Sequence, residues 1–306
     1  MNAGLKPPDN QKKIDRINCL TIWGVGLIGG SLGLALKNNG FKGKLVGLGR
    51  NIERLQVALD LGAVDFITTD IQEGIDDSEF IVLCTPVNIV PENVRQIAKS
   101  IQKDNKRIII TDVGSTKSSL VRTIERDLIP FCDDSIVFVG GHPMAGSHES
   151  GVKSAKSSMF EGAKCVLTPT ESTDEDSLNI VSELWQYVGC DIYKCSPEIH
   201  DLLIGAASHL PHLIASLLTN TVADVNTSTN KALDFTATGF RDTTRIAAGS
   251  ADLWTSIFME NSEVMISLID NFVCNLNEIK KLLKSNDSIE IDRILSEAET
   301  TVKELI

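Results

Sequence analysis

From Ile17 to Cys195 the chain alternates short apolar runs with segments whose apolar residues recur every three to four positions, and no other feature restricts its fold as much. Strands spaced by whole helices cannot be joined by hairpins, so they pair in parallel, with crossover helices covering both faces of the sheet. The runs 18–23, 44–48, 80–84, 107–111, 136–139 and 164–167 read as strands, and 28–38, 52–61, 87–101 and 117–128 as helices between them. The polar stretch 171–176 opens a further helix to Tyr187, capped by Asp174 or Ser177, and 191–194 reads as a last strand.

After Pro197 the strand pattern stops and long amphipathic helical patterns take over. A chain of 306 residues suits two domains. The expected organisation is a flexible polar tail at 1–16, an α/β domain at 17–195 and an all-helical domain at 196–306, with inter-helix loops at 219–230 and at Gly239 and Gly249. The last helix, 288–306, is apolar on one face and is expected to pack on another helix or subunit.

A formal charge of -12 sets the overall field against duplex DNA and anionic membranes, so no nucleic-acid partner is expected. The seven cysteines are odd in number and form no C-x-x-C pair, which reads as buried thiols in a reducing compartment. The N-terminus resembles no secretory signal, and no apolar run is read as reaching the ~18 residues of a membrane span. A cytoplasmic protein is expected.

Gly24-Val25-Gly26-Leu27-Ile28-Gly29 follows the first strand and opens the first helix. In such a turn the first glycine allows the bend, the second lets backbone approach a pyrophosphate and the third lets helix and strand pack closely. Gly24, Gly26, Leu27, Ile28 and Gly29 are therefore candidate dinucleotide contacts, with Thr85 and Pro86 after the third strand. At the end of the second strand, where a carboxylate would hold a ribose 2′-hydroxyl, the chain carries Arg50-Asn51. A cation there predicts preference for NADP, with NAD as the lesser cofactor.

Two further loops follow strands on the same sheet edge, 111–117 and 140–147. In the second, Gly140-Gly141 is expected to free the backbone ahead of His142 and Pro143 to fix its direction, aiming the imidazole into the cleft as a general base with an ordinary pKa of ~6.5. All five histidines lie between 142 and 212. A metal hydrolase could use His200-Asp201 with His209 and His212, but that leaves the dinucleotide turn idle, and no metal is expected.

GVGLIGGS (24–31), TDVGSTK (111–117), GGHPMAG (140–146), LTPT (167–170), SHLPH (208–212) and GFRDTTRI (239–246), in this order, resemble the prephenate and arogenate dehydrogenases of tyrosine biosynthesis across nearly all of 17–260. The resemblance implies a Rossmann-type parallel-sheet domain followed by an all-helical dimerisation domain, hence a homodimer. It implies that His142 is the catalytic histidine, that Ser115 hydrogen-bonds beside it and that Arg245 clamps a substrate carboxylate. His212, His200, Ser147, Gly239 and Trp254 match further positions around the substrate, and His209 is open to a structural, helix-capping role. His212 favours prephenate over arogenate. His148-Glu149 departs from the family, where an acidic residue directly follows the position of Ser147. The β-hydroxyacid dehydrogenases share the two-domain plan but need a catalytic lysine in a glycine-rich helix start, which is missing. A non-catalytic NADP-binding regulator is the rival outside enzymes, and His142, Ser115 and Arg245 together speak against it.

Overall fold

The computed structural model describes residues 13–101, 107–131, 135–146 and 149–305. Eight strands form one sheet in the order β3-β2-β1-β4-β5-β6-β7-β8. They are β1 (Cys19–Trp23), β2 (Lys44–Leu48), β3 (Phe66–Thr68), β4 (Phe80–Leu83), β5 (Ile108–Asp112), β6 (Ile136–Pro143), β7 (Lys164–Thr168) and β8 (Asp191–Lys194). The strands from β1 to β6 pair in parallel, β7 runs antiparallel to β6, and β8 lies parallel to β7. Strand order reverses between β1 and β4, and the crevice outside the carboxyl ends of strands at such a switch point is where ligands of open α/β sheets bind.

The helices are α1 (Leu27–Asn38), α2 (Ile52–Asp60), α3 (Ile71–Ile75), α4 (Val90–Ser100), α5 (Ser118–Asp127) and α6 (Glu175–Tyr187). The period of two along a parallel strand sends alternate side chains to opposite faces, and β4 shows the result. Phe80 and Val82 join the core with Leu32, Leu36, Leu184 and Trp185, whereas Ile81 and Leu83 join the core with Val94, Ile97, Leu120 and Ile124. Asp174, not Ser177, caps α6, its carboxylate accepting from the Ser177 amide at 2.8 Å.

Several expectations are corrected. The described end of the presumed tail, Lys13–Arg16, is a 3-10 turn that buries Ile14 in the core, its amide donating to Glu183 Oε2 at 3.2 Å. β3 and α3 have no counterpart in the sequence reading. β6 continues through Pro143, because 140–143 pair with β7. Cys274 is exposed rather than buried, Cys84 and Cys195 are half-buried, and Cys132 lies outside the described residues.

The second half is built from α7 (Pro197–Ile204), α8 (Leu210–Asp224), α9 (Thr238–Thr244), α10 (Ala251–Glu260), α11 (Ser262–Ser285) and α12 (Ser288–Leu305). Residues 219–224 are therefore helical and Gly239 lies inside α9, whereas Gly249 stands between a 3-10 turn and α10. A π turn, Gly205–His209, joins α7 to α8 just before Pro211, which has no N–H to donate one turn back. The combined stretch Pro197–Asp224 is long and apolar enough to cross a membrane, contrary to expectation. It carries His200, Asp201, His209 and His212, all buried and engaged in the contacts described below.

Candidate active site

Gly24 turns the chain out of β1 with φ at +100°, and a Cβ there would lie 2.7 Å from the Cys84 carbonyl oxygen at the end of β4. Around Gly26, just before α1, a Cβ would meet nothing within 4 Å, so its backbone faces open space. A Cβ on Gly29 would collide with the Gly24 carbonyl and lie 2.9 Å from Ile22 Cγ2, so only glycine lets α1 sit this close to β1. The amides of Leu27 and Ile28 occupy the first turn of a 12-residue helix with no side-chain cap, where they and the helix dipole favour an anion. The turn thus fits a pyrophosphate.

Arg50 stands exposed beyond β2. Asn51 commits its side-chain oxygen to capping α2, accepting from the Arg54 amide at 2.8 Å. Thr85 donates to Asn93 Oδ1 at 2.6 Å, and Pro86 is exposed at the start of the 87–89 turn, on which α10 packs.

His142 sits within β6, opposite Val166, on this same sheet edge. Its two glycines serve close approach rather than loop freedom. A Cβ on Gly141 would lie 2.9 Å from both the Asp112 carbonyl oxygen and Thr111 Oγ1, and one on Gly140 would collide with Thr168 Oγ1. Asp112 and Lys117 form a fully buried ion pair, and the carboxylate also accepts from the amides of Gly114 (2.8 Å) and Gly141 (3.1 Å). A buried pair with its remaining lone pairs satisfied costs least and holds its surroundings in one geometry. It ties the turn carrying Ser115 to the strand carrying His142. Ser115 is half-buried there, and no hydrogen bond joins it to His142.

The histidine is held from the helical domain. His142 Nδ1 lies 2.9 Å from His200 Nε2, and His200 Nδ1 lies 2.8 Å from Asp201 Oδ1. The Asp201 carboxylate accepts in addition from the amides of Lys117 and Ser118, each at 2.8 Å, capping α5 from across the domain boundary. Burial pushes His142 well below the ordinary histidine range, and the nearby His200, Lys117 and His209 push it further. Burial also lowers His200. It opposes ionisation of Asp201, but the His200 N–H and the two amides outweigh it and hold that carboxyl below its ordinary value. The expectation of an unperturbed His142 is therefore corrected downward. With both ring nitrogens taken, His200 has none left for direct contact with a substrate, as the resemblance had implied.

His209 is buried and pushed down to about 4 by its burial, with Nδ1 facing the Asn261 amide nitrogen at 3.2 Å. That amide also donates to the Asp201 backbone carbonyl at 3.0 Å. His212 stacks on Trp254, ring centroids 3.5 Å apart and planes 15° from parallel, while His209 meets the same indole edge-on at 6.0 Å. Arg245 is exposed on the 3-10 turn that packs against α8, and Gly239 is exposed on α9. The structure brings His142, His200, His209, His212 and Trp254 together, and leaves Arg245 and Gly239 without hydrogen bonds to that cluster. Ser147, and with it His148, lies outside the described residues. Among the described residues no three His, Cys, Asp or Glu side chains are grouped to hold a metal.

Residues 32–194 match the family model described as the nucleotide-binding domain of prephenate dehydrogenase, and residues 196–297 match its dimerization domain. The chain belongs to the prephenate dehydrogenase family. It is 32% identical over 275 residues to the prephenate dehydrogenase of Bacillus subtilis, covering 90% of this chain and 72% of that protein. A cyclohexadienyl dehydrogenase of Zymomonas mobilis is 31% identical over 231 residues, 75% of each chain. The crystal structure of prephenate dehydrogenase from Aquifex aeolicus, in complex with hydroxyphenyl propionate and NAD+, superposes with a TM-score of 0.87 at 35% identity, covering 94% of this chain and 98% of that one. In this member of the prephenate dehydrogenase family, sequence reasoning missed the parts played by Asp112, Lys117, Asp201 and Asn261. The first two lie inside TDVGSTK, which marked them, whereas Asp201 stands outside the six motifs and nothing in the sequence marks Asn261.

Proposed function

We propose that this family member oxidatively decarboxylates prephenate to 4-hydroxyphenylpyruvate, with His142 as general base. The observation that carries the reading is His142 itself. It is buried on the sheet edge of the glycine turn, its Nδ1 is held by His200, and no hydrogen bond from a described residue occupies its Nε2. Prephenate carries a hydroxyl and a carboxylate on opposite ring carbons. A bound nicotinamide cofactor supplies the acceptor for the hydride from the hydroxyl-bearing carbon, and the turn at Gly24–Gly29, Arg50 and Thr85-Pro86 are the residues to hold it. His142 Nε2 takes the hydroxyl proton, and the ring carbonyl that results accepts the electrons released as the carboxylate leaves as CO2. Aromatisation makes the step effectively irreversible.

Arg245 is assigned to a substrate carboxylate, for which its planar fork suits, with Ser115, His212, Gly239 and Trp254 around the ring. Burial lowers His212, so it meets the substrate neutral, able to donate to the side-chain keto group. Arogenate, which carries an amino group there, is the second reading, favoured by the likeness to a cyclohexadienyl dehydrogenase. Arg50, with no carboxylate beside it at the end of β2, supports NADP as the preferred cofactor, although the Aquifex relative holds NAD+. The free thiols among the described residues support a reducing, cytoplasmic setting.

The test is the absorbance of reduced cofactor formed from prephenate and arogenate, each with NADP and NAD, using wild type and Arg50→Ala. The expected result is turnover of prephenate with NADP preferred, and loss of that preference in the variant. An unchanged preference removes the role given to Arg50.

A further inference from the structure

The carboxylate of Asp201 accepts two backbone amides, which only its ionised form satisfies fully, so His200 Nδ1 must be the donor in their 2.8 Å contact. A neutral His200 then has a bare Nε2, which can only accept, and the 2.9 Å contact fixes the proton of His142 on Nδ1. That leaves the lone pair of His142 on Nε2. An isolated neutral imidazole interconverts between tautomers, and a base whose lone pair points back into the protein does nothing. We propose that Asp201 and His200 are positioning residues which, through this two-step chain, hold His142 in the one tautomer that presents Nε2 to the substrate hydroxyl. Both start from a helix begun by Ser196 and Pro197, and the same carboxylate caps α5, so docking of the helical domain on the sheet domain also aligns the base. Once His142 has taken the proton, its Nδ1–H still donates to His200, and the Asp201 charge two hydrogen bonds away favours the imidazolium.

The inference rests on His142 being the base, so its test includes a readout independent of turnover. Nitrogen-15 spectra of histidine-labelled protein, assigned with His142→Gln, are expected to show His142 protonated on Nδ1 in wild type and shifted to the Nε2–H form in His200→Leu. In kinetics with prephenate, Asp201→Asn and His200→Leu are expected to lower kcat on the order of 10²–10⁴-fold with little change in KM. His200→Gln, whose side-chain carbonyl can still accept from His142 Nδ1, is expected to restore kcat to within about tenfold of wild type. If Asp201→Asn fails to fold for want of the α5 cap, the two His200 variants decide. An unchanged tautomer in His200→Leu, equal losses in the Leu and Gln variants, or a loss confined to KM would overturn the proposal. A wild type that leaves prephenate untouched while showing the Nδ1–H tautomer would contradict the proposed reaction and leave the positioning chain standing.

Discussion

A histidine works as a base only while neutral, and burial, reinforced by Lys117 and the imidazoles of His200 and His209, keeps His142 neutral well below pH 6.5. The acid limb of kcat/KM, which reports the free enzyme, is therefore expected to bend below ~6.5, with a flat profile above it; a half-maximal point at or above that value would contradict the buried site. The sign for stability is the same. The lowered values of His142, His200, His209 and His212 mean that the unfolded chain binds more protons below pH ~6.5, so stability falls as pH drops through that range. Single residues were legible in the sequence where they carry a local reason. Gly24 and Gly29 occupy a turn that demands them, and His142 stands in a motif. Asp201 was not, because its cap on α5 joins residues more than 80 positions apart that only the docked domains bring together.

The strand, turn and helix of 19–38 act as one element, and Gly29 is its tightest point. Gly29→Ala places a methyl against the Gly24 carbonyl and Ile22, so it is expected to cost ~1–3 kcal/mol of stability by overpacking and to weaken cofactor binding by moving the turn. Chemical denaturation and cofactor titration check the two effects; a variant with wild-type values in both would show that α1 does not need this contact. β2 was legible to the residue because Leu45–Leu48 is a continuous apolar run bounded by breaks. β3 was not, since three residues carry too little periodicity to count. β6 was cut short at Val139 because Gly140-Gly141 look like a loop, whereas they are strand positions where neighbouring chain presses too close for a side chain. The Thr/Asn composition of 219–224 likewise suggested a loop, but this end of α8 returns the hydroxyls of Thr219 and Thr221 to carbonyls one turn back.

At the scale of the whole molecule, the two halves are stabilised differently. The sheet domain buries its apolar residues on both faces, whereas α12 buries none among its described residues, with Ile289 83% and Leu295 63% exposed. Ile266 and Leu283 on α11 are exposed as well, and residues 196–297, which carry this uncovered apolar surface, match a dimerization domain. Ile289→Glu combined with Leu295→Glu is expected to shift sedimentation from dimer toward monomer; an unchanged sedimentation coefficient would place the interface elsewhere. Whether His142 drives oxidative decarboxylation is decided by following prephenate with NADP in wild type and His142→Asn. One reduced cofactor and one 4-hydroxyphenylpyruvate per prephenate in wild type, with kcat lower by about 10²–10⁴-fold in the folded variant, is the predicted result; wild-type turnover in His142→Asn, or no product from wild type, would contradict it.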